Sequence, residues 1–215
     1  MFRLTPVVRS IIIINVIVFI GQMVAPSMDF AGCFGSSGIG FAYQNDIITG
    51  FLSMWNTHTD CFKPYQLFTY MFVHGGFSHI FFNMLSLAFM GPMLESYWGT
   101  KRFTMFYMVT GIGAGIFNII VDRYLGIGSY GIMMGASGAI YGILMGFGMI
   151  FPNMEIMLLI PPIPIKAKYL VFLLGGLNFF MDKSGNVAHF AHLGGVIFAF
   201  LLITAWRKEG GDGWS

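Results

Sequence analysis

Polar side chains are scarce in the apolar stretches of this sequence, and the few present are of types that do chemistry. One stretch carries His79 and Asn83, four residues apart and therefore on one face of a helix. Another opens with Gly135-Ala136-Ser137-Gly138 and places Tyr141 one turn after Ser137. A third carries His189 and His192, with Ala191, Gly195 and Ala199 as a ridge of small residues. A serine hydroxyl attacks a carbonyl only when a base takes its proton, and a neutral imidazole with a pKa of about 6.5 can do so at neutral pH. Ser137 and His192 supply that pair. The carbonyl under attack becomes an oxyanion, which needs donors already aimed at it. Candidates are the Ser137 backbone N–H, free at a helix start, the Asn83 side-chain amide and His79.

The stretches hold no Asp or Glu at the same depth, so the arrangement is a dyad rather than a triad, with Tyr141 able to pack against the His192 ring. His189 and His192 lack a nearby Cys, Asp or Glu to complete a zinc site, so neither metal nor cofactor is expected. Each group also has a plain packing role. His79 and Asn83 can hydrogen-bond between helices, Ser137 can satisfy a backbone carbonyl, and Gly135 and Gly138 can let helices approach closely.

A dyad needs rigid elements to hold it, and composition says which. Of 215 residues 56% are hydrophobic, about 120 side chains, and six membrane-crossing helices of about 20 residues need the same number. Charged residues make up 9%, against roughly 25% in a soluble domain, and mean hydropathy is +0.75. A soluble domain is excluded. Aromatic content of 17% excludes disorder. A net charge of +2 without a Lys/Arg cluster argues against nucleic-acid binding.

Charge-free runs mark the spans: 10–28, 64–94, 103–121, 124–154, 169–181 and 184–206. Gly-rich and polar residues place the start of the second helix near Phe77 and of the fourth near Ser137. The fifth is short and is expected to begin nearer Ile165, with Lys166 and Lys168 snorkelling. Continuous apolar runs, rather than alternating ones, exclude a barrel. Under six crossings, Arg3, Arg9, Lys101, Arg102, Lys166, Lys168, Arg207 and Lys208 share one side, against Lys63, Arg123 and Lys183. Both termini are therefore expected in the cytoplasm. The first run, behind Arg3 and Arg9, has the outline of a signal sequence, but keeping it as an anchor preserves the charge asymmetry.

The exterior then receives a long segment from Met28 to about Phe77, read as a structured loop. Cys33 and Cys61 would face an oxidising compartment there, as a disulfide or as two buried thiols. Depth ties the chemistry together. Ser137, His192 and Asn83 each lie 14 residues above the expected inner ends Phe151, Trp206 and Tyr97. That is about 21 Å of helix, or roughly 9 Å below the outer edge of a 30 Å core. Packing residues would have no reason to share a level.

The set resembles the rhomboid intramembrane serine proteases. Gly135-Ala136-Ser137-Gly138 is similar to the family's Gly-x-Ser-Gly, His79 to Asn83 to its His-x-x-x-Asn, and Ala191-His192-Leu193-Gly194-Gly195 to its Ala-His-x-x-Gly. Glu95-Ser-Tyr-Trp-Gly99 before Lys101-Arg102-Phe103 resembles its second-to-third-helix junction. The matches run from about Phe62 to the end of the last helix. The resemblance implies an all-α, six-transmembrane-helix bundle, a single membrane domain over 1–206 with an external loop of about 28–76, and a short cytoplasmic tail, 207–215. It implies Ser137 as nucleophile, His192 as base, His79, Asn83 and the Ser137 amide as oxyanion site, and Tyr141 stacked on the base. Gly135, Gly138 and Gly195 support the motifs.

His189 falls out of register with the catalytic histidine and takes a packing or water-retaining role, and His74 is structural. Where many relatives carry Trp-Arg in the first loop, this chain has Pro64-Tyr65-Gln66. The implied substrates are transmembrane helices of other membrane proteins, cut near the outer face of what is expected to be a bacterial inner membrane. A helical peptide bond is shielded, so weak helix formers near the scissile bond should help. Loops Gly126 to Met134 and Asp182 to Val187 are the expected lid over an outward-opening cavity. Two other readings differ in class: an inactive relative that binds membrane helices, and a small transporter. Against the transporter stand the missing intramembrane carboxylate and the missing repeat. Gly111 and Gly115 are read as packing inside one chain.

Overall fold

The computed structural model describes residues 3–34, 44–125, 132–157, 162–181 and 186–209. Its framework is helical. Helix α1 (Pro6–Val24) starts with proline in its first turn and ends before Pro26, whose ring favours extended backbone at Ala25. Two short helices, α2 (Ile47–Leu52) and α3 (Gln66–Thr69), lie in the long loop. Helix α4 (Phe77–Leu125) follows, then α5 (Ser137–Ile150), α6 (Ala167–Met181) and α7 (Asn186–Glu209).

Among the described residues three helices are long and apolar enough to cross a membrane, Pro6–Val24, Phe77–Tyr124 and His189–Lys208, while Ser137–Ile150 is apolar and shorter. The starts expected at Phe77 and Ser137 coincide with those found, and α5 ends at Phe151 before Pro152. Other ends differ. Arg9 lies inside α1, and Arg207 and Lys208 lie in the last turn of α7, where cations suit the helix dipole. The second and third spans that charge divides are two helices that meet at a kink at Gly99, inside α4, where φ is +79°. That conformation costs a residue with a Cβ about 1–2 kcal/mol, and glycine adopts it freely.

Helices α4, α5 and α7 pack against one another, and α1 packs on α4. Small residues set the approach. A Cβ on Gly138 would come within 2.6 Å of the Ala114 Cβ, and one on Gly142 within 2.6 Å of Thr110. Gly111 and Gly115 face Met71, Leu67 and Tyr70, so this pair does pack within the chain. At the opposite end Trp98, Phe106 and Trp206 form an aromatic cluster.

Glu95 is buried on α4, with 3% of its surface exposed. Its carboxylate accepts from the Val7 and Val8 backbone N–H groups, each at 3.1 Å, and from Thr100 Oγ1 at 3.2 Å. It therefore caps α1, whose own N-cap Thr5 makes no side-chain bond. A carboxylate suits the positive end of a helix. Glu95→Ala strands those donors and is expected to cost about 1–3 kcal/mol, with Glu95→Gln intermediate. Unfolding temperatures in detergent check this.

Where it is described, at 28–34 and 44–76, the long loop is structured, as expected. Strands β1 (Ser27–Asp29) and β2 (Gln44–Asp46) pair antiparallel, as do β5 (Glu155–Met157) and β6 (Pro164–Lys166). Between them in the chain, β3 (Met54–Trp55) pairs with β4 (Ile132–Met133), joining the loop to the segment that enters α5. Cys33 and Cys61 form a disulfide, settling the alternative left open by sequence. The bridge packs with Phe30 and Trp55. Gln66, 1% exposed, uses its whole amide. It accepts from the Trp55 and Lys63 N–H groups and donates to the Phe51 and Cys61 carbonyls. Residues 126–131, 158–161, 182–185 and 210–215 lie outside the described residues, and with them most of the expected lid and tail.

Candidate active site

Ser137 is the first residue of α5, and the chain reaches it through Gly135 at φ +119°, a region that disfavours side chains. A Cβ there would also come within 2.6 Å of His79 Cε1 and Nε2. Glycine thus lets the loop turn and lets the His79 ring lie against it. The Gly135 N–H donates to the Tyr70 carbonyl at 2.9 Å, fixing this loop to the segment between α3 and α4.

Position 137 leaves the serine N–H in the first helical turn, without an intrahelical partner. The side chain meets α7. Ser137 Oγ and His192 Nε2 lie 2.9 Å apart, 55 residues distant in sequence. Tyr141 lies one turn along α5, and its ring stacks on the His192 imidazole with centroids 4.2 Å apart and planes inclined by 18°. Its hydroxyl donates to the Leu174 carbonyl on α6 at 3.1 Å. The imidazole is thus held against a ring that α5 and α6 fix between them. Both Ser137 and His192 are half-buried, so the pair stays open to a reactant.

On α4, His79 is half-buried and accepts at Nδ1 from the Gly75 N–H at 3.4 Å. One turn further, Asn83 is 6% exposed, and its Nδ2 donor has no hydrogen-bond partner among the described residues. A buried unsatisfied donor costs about 1–3 kcal/mol, a cost that a bound acceptor would remove. His74 is 2% exposed and meets His79 edge-on, with centroids 5.0 Å apart. Burial, and then the neighbouring His79, lower its pKa to about 3, so it stays neutral at physiological pH.

The structure therefore brings Ser137, His192 and Tyr141 into contact and sets His79 against Gly135. It places Asn83 one turn beyond His79. Gly138 and Gly195 meet at the α5–α7 crossing: a Cβ on Gly195 would fall 2.0 Å from the Gly138 carbonyl oxygen. His189 sits one turn before His192 on α7.

A protein-family model described as the rhomboid domain matches residues 62–209. The chain belongs to the rhomboid family. It is a membrane protein by that membership and by its apolar helices. RHOMBOID-like protein 1 of Arabidopsis thaliana is 33% identical over 140 residues, 65% of this chain and 34% of the relative. Rhomboid protein 1, mitochondrial, of Saccharomyces cerevisiae is 30% identical over 144 residues, 64% of this chain and 42% of the relative. Rhomboid protease GluP of Bacillus subtilis is 27% identical over 141 residues, 66% of this chain and 26% of the relative. The chain therefore spans less than half the length of each of these rhomboid relatives.

Two polar residues escaped the sequence reading of this rhomboid chain. Gln66, noted only as a departure from Trp-Arg, is the hydrogen-bonding hub of the loop. Gln22, near the end of an otherwise apolar helix, bonds to Thr49 and to both backbone groups of His74. The only available signal for Gln22 was an amide within an apolar run.

Proposed function

We propose that this rhomboid protein is an intramembrane serine endopeptidase that hydrolyses peptide bonds in or near transmembrane helices of other membrane proteins. The observation that carries the reading is the 2.9 Å approach of Ser137 Oγ to His192 Nε2, with Tyr141 stacked on the imidazole. Six crossings, obtained by dividing α4 at Gly99 and counting α5 and α6, would put both termini in the cytoplasm and the dyad towards the outer face. A bacterial inner membrane suits that arrangement.

With its ring proton on Nδ1, His192 accepts the hydroxyl proton at Nε2 as Oγ attacks the scissile carbonyl carbon. The new C–O bond leaves a tetrahedral oxyanion, stabilised by the Ser137 N–H, Asn83 Nδ2 and His79. Collapse breaks the C–N bond, and His192 returns its proton to the departing amine. Water, deprotonated by His192, then attacks the acyl-serine, releases the carboxylate product and restores the hydroxyl. Tyr141 limits the imidazole to the plane in which Nε2 faces Oγ.

Asn83 tests the oxyanion assignment. Asn83→Ala is expected to lower kcat by about 100- to 1000-fold, as for loss of one oxyanion donor, with KM little changed because the bond forms only after attack. Steady-state cleavage in liposomes measures both. The function itself is tested by reconstituting the purified chain with a single-span model substrate and mapping the products. Cleavage within the outer part of the span supports the reading. Persistence of intact substrate across a panel of spans carrying Gly or Pro would refute it.

A further inference from the structure

Gln22 reaches across from α1 to a turn that touches the oxyanion histidine. Its Oε1 accepts from the His74 backbone N–H at 3.1 Å, and its Nε2 donates to the His74 carbonyl at 3.0 Å. A primary amide carries donor and acceptor side by side, so one side chain grips both backbone groups of one residue, as a neighbouring strand would. The same Nε2 donates to Thr49 Oγ1 at 2.7 Å, and Thr49 is held in turn by the Asp46 carboxylate at the start of α2. The turn after Tyr70–Phe72 is therefore anchored to both α1 and the external loop.

The next residue along that turn is Gly75, whose N–H donates to His79 Nδ1. A ring nitrogen that accepts carries no proton, so in the neutral imidazole the proton sits on Nε2. The Cε1–Nε2 edge is the one that lies against Gly135, two residues before the serine. The donating side of the ring is thus turned towards the segment that carries the nucleophile. The opposite tautomer would present a lone pair there and repel an oxyanion. At 3.4 Å the Gly75 bond is long, so a small shift of the turn would break it.

We propose that Gln22 is a positioning residue: by clamping His74 it holds the Gly75 N–H on His79 Nδ1 and fixes the His79 tautomer that donates from Nε2. The inference deepens the protease reading and rests on it. Gln22 lies outside the residues matched by the rhomboid domain, 62–209, so this part of the machinery comes from the first helix.

The test uses the full-length chain and Gln22→Leu, which keeps the side chain's bulk and removes its amide. In liposomes with a transmembrane substrate, kcat is expected to fall about tenfold while KM stays within about twofold, because what is lost acts on the oxyanion alone. Nitrogen-15 NMR of histidine-labelled protein reads the tautomer directly, with the His79 signals identified by their loss in His79→Ala. Wild type should show a protonated Nε2 and an unprotonated Nδ1, and Gln22→Leu a mixture of tautomers. A wild-type His79 protonated on Nδ1 overturns the proposal. So does a folded Gln22→Leu protein with unchanged kcat or an unchanged tautomer. If Gln22→Leu does not fold, the wild-type tautomer decides. If wild type neither cleaves a substrate nor reacts at Ser137, the protease reading fails, and the NMR result still judges the clamp by itself.

Discussion

Replacing either Ser137 or His192 with alanine is expected to lower the cleavage rate of a transmembrane substrate by about ten-thousand-fold or more, with the double variant little worse than either single one. The two groups perform one step. Without the imidazole the hydroxyl keeps its proton, and without the hydroxyl the imidazole has no nucleophile to activate. The fold should survive both changes. The bond between the two side chains is part-buried and worth about 1 kcal/mol, the Tyr141 stack that His192→Ala gives up adds about 0.5–1.5 kcal/mol, and alanine fits wherever serine does. Thermal unfolding in detergent should therefore shift little while cleavage disappears. A loss of activity matched by unfolding would say nothing about chemistry, so both are measured on the same preparations. The reading survives only if the rate collapses in a protein that remains folded.

Gly195→Ala is expected to damage both activity and fold, for a different reason. The added Cβ would stand 2.0 Å from the Gly138 carbonyl oxygen and 2.9 Å from its carbon. Those atoms are backbone, so no rotamer change relieves the overlap, and α5 and α7 must separate. Overpacking of this kind costs about 1–3 kcal/mol or more. Ser137 adjoins Gly138, and His192 lies one turn before Gly195, so the separation opens the dyad itself. A misplacement of about 1 Å can cost 100-fold in rate. Cleavage should thus fall at least 100-fold, with a lowered unfolding temperature. Gly32→Ala is the control, since a Cβ there meets nothing within 4 Å, and it should leave both measurements unchanged.

What sequence could reveal follows from the physics of each feature. Placing polar groups in hydrocarbon is expensive, so Ser137, His192, Asn83 and His79 stand out against their surroundings, and helical rise leads to the expectation of one depth for three of them. The starts of α4 and α5 were legible because glycine-rich sequence precedes them. The break at Gly99 was legible as well, from the flanking charges and from the resemblance of Glu95-Ser-Tyr-Trp-Gly99 to a helix junction, but not its form, two helices that run on across a single glycine. Features that depend on contacts between distant segments were hidden. The clamp of Gln22 on His74 spans 52 residues, and the Glu95 cap of α1 spans 87 and 88. Nothing local in Met54-Trp55 or Ile132-Met133 announces that they pair. For Cys33 and Cys61 composition allowed two outcomes, and only the folded loop brings the sulfurs together.

An activated serine is tested most directly by its reactivity towards an electrophile that needs no substrate recognition. Purified protein treated with a fluorophosphonate and mapped by peptide mass spectrometry should carry one adduct, on Ser137, and His192→Ala should not react. A folded wild-type protein that stays unlabelled, or that labels elsewhere while Ser137 remains free, would contradict the account.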